Sequence, residues 1–142
     1  MGEKTDAAAL IRDLNKAVPL MARDALAAAL TAGTVGGLEG VALAERLREF
    51  AADQLRDLER IAGRIVTLGG SPRLGVESME PETDWRAAVD GLVSMQRETL
   101  DVLVSAIPAG ADDAEGEATE HLLEHVITRT RDAIELLERA AR

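Results

Sequence analysis

The spacing of apolar residues is the feature that most constrains the fold of this chain. In four long stretches Ala, Leu, Val and Ile return every three or four residues, which is the period of one face of an α-helix. Clusters of Gly, Pro and Asp separate the stretches, and no alternating pattern of useful length indicates a strand. The sequence therefore predicts an all-α protein with four helices, which run from about Thr5 or Asp6 to Ala32, from Glu39 to Leu68, from an N-cap at Thr83 or Asp84 to Pro108, and from about Asp113 to the C-terminus.

The links between the helices carry the information about topology. The links after the first and third helices are short, as in antiparallel helical hairpins. The link between the second and third helices, residues 69–84, reads GGSPRLGVESMEPETD. Fully extended it reaches roughly 50 Å, more than the length of a helix of about 28 residues. We therefore expect two antiparallel hairpins joined by a lengthwise crossover, with a loop that caps one end of an up-down bundle as the alternative.

Composition narrows the classes of function. The 142 residues are expected to form a single domain, residues 1–142. A formal charge of −10 argues against binding to nucleic acid or to an anionic membrane surface, which needs clustered Lys and Arg. The absence of cysteine excludes disulfides, thiolate metal sites and a thiol nucleophile. Because the chain opens without a signal-peptide core and has no apolar run near about 20 residues, we expect a cytoplasmic protein.

Polar side chains recur near the centres of otherwise apolar helix faces. Gln54 lies at the centre of the second face with Asp57 on its flank, and Gln96 lies at the centre of the third. Arg129 lies on a flank of the fourth face. Since polar groups in a core need partners, we expect Gln54 to hydrogen bond to Gln96 and Asp57 to form an ion pair with Arg129.

Pro19 falls inside the first helical stretch. A proline there removes a backbone hydrogen bond and costs roughly 3 kcal/mol or more. The first helix is therefore expected either to kink at this point or to start afresh at Pro19.

Two local stretches resemble a known family. RIVTLGGSPRL, residues 64–74, is similar to the end of the second helix of bacterioferritins and their relatives, where the chain enters a long crossover. DLNKAV, residues 13–18, is similar to the start of their first helix. The resemblance implies a ferritin-like four-helix bundle. In that family it also implies a di-iron ferroxidase site, built from a Glu on each of two helices and a Glu-x-x-His on each of the others.

In this chain the positions that match those ligands hold other residue types. The fourth helix allows two registers, one residue apart. The matched positions are Met21, Gln54 with Asp57, Gln96, and either Val126 with Arg129 or Ile127 with Thr130. Iron prefers anionic oxygen ligands with imidazole support, so this set indicates a degenerate di-iron site in which the glutamines are relics of ligands. We name no catalytic residue and expect no enzyme activity and no resident cofactor.

A rebuilt metal site is the alternative reading. Asp24, on the flank of the first face, would join Asp57 and His125 around a cation, in which case iron would be bound or stored. His121 and His125 share one side of the fourth helix and form a weaker candidate for a surface metal site. A third reading is a small polar ligand held among Gln54, Gln96 and Arg129.

Two features bear on assembly. ALAAAL, residues 25–30, is apolar on every side of its helix, and Leu38 and Val41 extend the apolar character past the first turn. We therefore expect a homodimer or larger homo-oligomer, or a partnership with another ferritin-like chain. The family binds haem at such an interface through a Met of the second helix, but Leu55 takes the matching position, so we expect no haem. The function expected overall is that of a non-catalytic, oligomeric or partner-binding ferritin-like subunit.

Overall fold

Four α-helices make up nearly all of the ordered structure. The computed structural model describes residues 4–108 and 113–142. The all-α prediction is confirmed, and most predicted ends fall within two residues of the observed ones. Over the described ranges there is no strand, and the helices are α1 (Ala7–Thr34), α2 (Gly37–Thr67), α3 (Trp85–Ser105) and α4 (Ala114–Ala140).

Aspartate caps fix where three of the helices begin. The side chains of Asp6, Asp84 and Asp113 accept hydrogen bonds from backbone N–H groups three residues further on, at 3.1, 3.0 and 2.9 Å. Each bond satisfies a donor that the first helical turn cannot pair. Asp113 also accepts from the backbone N–H of Thr5 at 2.9 Å and from its hydroxyl. Those bonds from Thr5 lower the pKa of Asp113, and they hold the starts of α1 and α4 at the same end of the bundle.

The crossover runs lengthwise, as expected, and does not cap one end. Where it leaves α2, the Asn15 side chain donates to the carbonyl of Ser71 at 3.0 Å and accepts from the backbone N–H of Arg73 at 2.9 Å. Where it reaches α3, the backbone N–H of Gly36 donates to the carbonyl of Thr83 at 3.0 Å. Because Asn15 lies early in α1 and Gly36 follows its end, the crossover has travelled the length of α1. The fold is two antiparallel hairpins, α1–α2 and α3–α4, with α1 packed on α3 and α2 on α4.

Two clusters of buried apolar side chains fill the bundle, one towards each end. Full burial of each Leu or Ile contributes about 2 kcal/mol. The first cluster contains Leu10, Leu14, Ala17, Val18, Met21, Ile61, Ile65, Leu103, Ala106, Leu123 and Val126. The second contains Ala27, Ala28, Leu47, Ala51, Val89, Leu92 and Leu137. In every helix the residues between these two sets include polar ones, so a polar layer separates the clusters.

Helix α1 continues through Pro19 without a break. The expectation that a new helix starts at Pro19 is therefore wrong. Proline leaves one backbone carbonyl without its usual donor, but packing of the flanking residues in the first cluster holds both sides of Pro19 in one helix. Across the described residues, no helix combines the length and the apolar character that crossing a membrane requires.

Gly69 ends α2 in a left-handed conformation. Its φ is +97°, and the backbone N–H groups of Gly69 and Gly70 donate to the carbonyls of Val66 and Ile65 at 3.0 and 2.9 Å. These two bonds are the Schellman arrangement, which satisfies carbonyls that the last helical turn leaves unpaired. The turn directs the chain out of α2 and into the crossover.

Replacing Gly69 by Ala is expected to lower the free energy of unfolding by about 1 kcal/mol, because a Cβ disfavours positive φ. Gly63→Ala is the matched control. Gly63 is exposed inside α2 with nothing near its missing Cβ, so the same change should stabilise by up to about 1 kcal/mol. Urea unfolding of both variants measures the difference, and shifts of the same sign would contradict this account of the turn.

Candidate functional site

Two glutamines join α2 to α3 in the polar layer. Gln54 Nε2 donates to Gln96 Oε1 at 3.1 Å, so the hydrogen bond expected from the sequence is present. Gln96 is only 2% exposed. The carbonyl oxygen of Gln54 is buried and has no hydrogen-bond partner among the described residues. The pair therefore leaves an acceptor unsatisfied at mid-bundle, which is uncommon in folded proteins.

Asp57 is the buried charge that joins α2 to α4. Its carboxylate is 3% exposed as a residue and accepts from Arg129 Nε at 2.9 Å and Arg129 Nη2 at 2.6 Å, which is the bidentate geometry of a strong pair. Arg60 Nη1 donates to the same carboxylate at 3.1 Å. The hydrogen bonds to Asp57 raise the pKa of Arg129. The expected ion pair is present, with Arg60 as a second cation that the sequence analysis did not predict.

Met21 and Val126 are the apolar members of the six matched positions. Both are buried and belong to the first cluster, where a thioether and an isopropyl group pack among Leu and Ile side chains. In the other register of α4, Ile127 also packs against this cluster, and Thr130 donates its hydroxyl to the carbonyl of Val126 at 2.8 Å. The register that contains Arg129 is the one whose polar member faces Asp57.

Asp24 belongs to a separate network between α1 and α3. It is fully buried and accepts from the Thr99 hydroxyl and from Arg23 Nε at 3.1 Å. Arg23 also donates to the carbonyl of Met95 at 3.0 Å. Burial raises the pKa of Asp24, and the hydrogen bonds with Thr99 and Arg23 oppose this rise. Neither Thr99 nor Arg23 was predicted as its partner from the sequence.

The structure does not bring Asp24, Asp57 and His125 together as a ligand set. Within residues 4–108 and 113–142, no three His, Cys, Asp or Glu side chains lie close enough to one another to hold a metal ion. His125 is exposed, and its ring is stacked on that of His121 with centroids 6.4 Å apart. The side chain of His121 is 79% exposed. The histidines therefore share one side of α4, as expected, but that side faces away from the polar layer.

A cavity of about 350 Å³ opens between α2 and α4 beside the polar layer. Sequence periodicity gave no sign of it, because a void depends on how two helices meet. It shows that the space beside the third candidate site is not tightly packed. Its lining includes Phe50, Gln54, Asp57, Gln96, Arg129, Thr130 and Leu136, with further charged residues at the rim.

The two hairpins, the lengthwise crossover and the buried polar layer together define a ferritin-like four-helix bundle. Comparison with solved structures confirms this fold. A ferritin-like diiron-carboxylate protein from Bacillus anthracis superposes with a TM-score of 0.87 at 21% identity, covering 99% of this chain and 100% of that one. The dodecameric thioferritin of Bacteroides fragilis, a bacterioferritin-related protein, gives 0.85 at 19% identity, covering 96% of this chain and 86% of that one.

The bacterioferritin of Rhodobacter capsulatus, solved with a metal-free dinuclear site and haem iron, has a TM-score of 0.78 at 18% identity. That superposition covers 98% of this chain and 86% of the bacterioferritin. By sequence, the chain matches no protein-family profile and no curated protein. The resemblance seen in RIVTLGGSPRL and DLNKAV is thus confirmed at the level of the ferritin-like fold.

Removing Arg129 is expected to destabilise the bundle more than neutralising Asp57. Arg129→Met leaves the buried carboxylate with Arg60 alone and should lower the free energy of unfolding by about 3 kcal/mol. Asp57→Asn should cost only about 1 kcal/mol, since the two guanidinium groups it releases have side chains 39% and 55% exposed and can reach water. Chemical unfolding at pH 7 measures both. Equal losses would show that the buried carboxylate is not the member that depends on its partner.

Proposed function

We propose that this chain is a ferritin-like subunit that has lost the di-iron ferroxidase ligands and acts without catalysis, through assembly. The proposal joins the chemistry of the polar layer to the apolar surface of the first hairpin. It assigns the mid-bundle residues a structural role and assigns the outer faces of α1 and α2 the role of a contact with a second copy.

The state of Asp57 is the observation that carries the loss of catalysis. It is the one carboxylate among the six matched positions, and both of its oxygens already accept from Arg129. A cation placed there would have to displace a bidentate guanidinium and would then lie beside its positive charge.

The other matched positions do not fit iron either. The two glutamines bring neutral amides, Met21 brings a thioether and Val126 brings no donor atom. Ferrous and ferric ions favour anionic oxygen and imidazole ligands, so this set of donors lacks what the family's site needs. Amides keep the hydrogen-bonding capacity of carboxylates without their mutual repulsion, which suits a core that holds no metal.

Exposed leucines on the first hairpin support assembly. Leu26 and Leu30 are 45% and 46% exposed although they lie in a stretch whose Ala25, Ala27 and Ala28 are buried. Leu38 and Val41, at the start of α2, are more exposed still. Contiguous apolar surface of this kind is typical of a protein interface. The dodecameric assembly of the Bacteroides fragilis protein is a precedent on the same fold, and we extend assembly, not its size, to this chain.

The proposed assembly contains no haem. Leu55, at the position that matches the family's haem-binding Met, is half exposed on α2 and has no atom that ligates iron. A second copy would meet an apolar Leu55 there, which favours packing over ligation.

Iron loading tests the loss of the ferroxidase site. The purified protein is incubated with ferrous iron in air and desalted, and metal per chain is measured by elemental analysis. We expect close to zero, because no three carboxylate or imidazole ligands converge in the described residues. About two irons per chain, abolished by Asp57→Ala without unfolding, would instead establish a rebuilt site. Hundreds per assembly would establish iron storage.

The assembly surface is tested by charge insertion. Leu26→Glu combined with Leu30→Glu should shift the protein from an oligomer to a monomer in light scattering at micromolar concentration, because carboxylates would be buried in the contact. Val104→Glu is the matched control, since Val104 is 50% exposed but lies on α3. A wild-type monomer at that concentration, or an oligomer unchanged by the double substitution, would overturn this part of the proposal.

A further inference from the structure

We propose that the cavity between α2 and α4 binds a small organic cation, of the class of short aliphatic diamines. This site goes beyond the role in assembly and does not depend on it. The cavity holds about 350 Å³, which lies within the size range of small-molecule sites in proteins. It opens to solvent on one side and reaches the polar layer on the other, so it offers a ligand both a rim and a floor.

The floor of the cavity contains an acceptor that lacks a donor. Gln54 and Gln96 both line it, and the bond between them uses one amide N–H and one carbonyl. If both amides are turned over, the same bond forms in the other direction, so either assignment leaves one carbonyl oxygen without a donor. In the structure that oxygen is Gln54 Oε1, which is covered by protein atoms. The last torsion of a glutamine is broad, so a modest rotation brings the oxygen to a donor in the cavity.

The charge of the lining selects a cation. Five carboxylates and three guanidinium groups line the cavity, so its field is negative. Glu49 is held by Arg46 at 2.8 Å and Asp57 by Arg129. Asp132 and Glu135 also line it, and no ion pair joins either of them to another described residue. These two carboxylates, three residues apart on α4, can receive the second charged end of a ligand whose first end donates to the glutamine.

The walls between floor and rim suit a short carbon chain. Phe50 and Leu136 line the cavity on α2 and α4, and both are partly buried. Methylene groups placed between them would leave water, while an ammonium at each end keeps polar partners. A bare metal ion would make no use of these walls, and a dianion would face the negative field. The geometry therefore favours a flexible diamine over either.

Calorimetric titration of the full chain with 1,4-diaminobutane tests the proposal. We expect saturable binding with one site per chain, and no saturable binding of 1,4-butanediol or succinate, which have the same length but different charge. Asp132→Asn combined with Glu135→Gln should weaken affinity about tenfold, as should Gln54→Leu, since each removes a charge-assisted contact. Thermal unfolding confirms that the variants remain folded.

The protein carries a charge of −10, so any diamine is attracted to it in general. Glu59→Gln is the control for this effect, because Glu59 is exposed on α2 and does not line the cavity. It should leave the affinity unchanged. The proposal fails if no saturable binding occurs, if Glu59→Gln weakens binding as much as the α4 pair, if succinate binds instead, or if ferrous ion binds at these residues and the diamine does not.

Discussion

A carboxylate buried between two apolar clusters sets the conditions for the middle of this bundle. Transferring Asp57 from water into the core costs several kcal/mol, and only well-placed cations with hydrogen bonds offset that cost. Arg129 supplies two such bonds from α4 and Arg60 a third from α2 itself. The level at which α4 meets α2 is therefore fixed by a long, planar side chain instead of by interlocking Leu and Ala. The cavity lies beside that side chain, where apolar packing between the two helices gives way to polar contact.

The remaining polar groups of the layer divide into two further contacts, each joining a different pair of helices. Gln54 and Gln96 join α2 to α3, and Asp24 with Thr99 joins α1 to α3. Such contacts add little net stability, but each holds its two helices at one height, because sliding by a turn would strand a buried polar group. A bundle whose core is mostly Ala, Leu, Val and Ile has few large side chains to define that height. In the absence of metal ligands, hydrogen bonds can perform the alignment that a shared metal centre would otherwise provide.

Much of this arrangement was predictable because it depends on local signals. The apolar period located all four helices, the capping aspartates located three of their starts, and the length of residues 69–84 indicated the lengthwise crossover. The contacts of Gln54 with Gln96 and of Asp57 with Arg129 followed from their central or flanking places on helix faces. The partners of Asp24 did not, since Thr99 is 75 residues away and its height relative to α1 depends on how the two hairpins are set against each other. The same uncertainty of register explains why a metal set containing Asp24, Asp57 and His125 was a reasonable hypothesis.

The sequence by itself determined the helices, their order, the direction of the crossover and the chemical character of each helix face, because these depend on residue spacing and on capping within a few residues. It also determined that amides, a thioether and an arginine stand at the positions that match the family's ligands. Only the tertiary structure decided which polar groups meet, that Arg60 joins the Asp57 pair, that the histidines face away from the layer, and that a cavity opens between α2 and α4. The reason is geometric. A helical period fixes the direction of a side chain about its own axis, whereas contacts between helices also need their relative height and separation, and these are set by packing across the whole bundle.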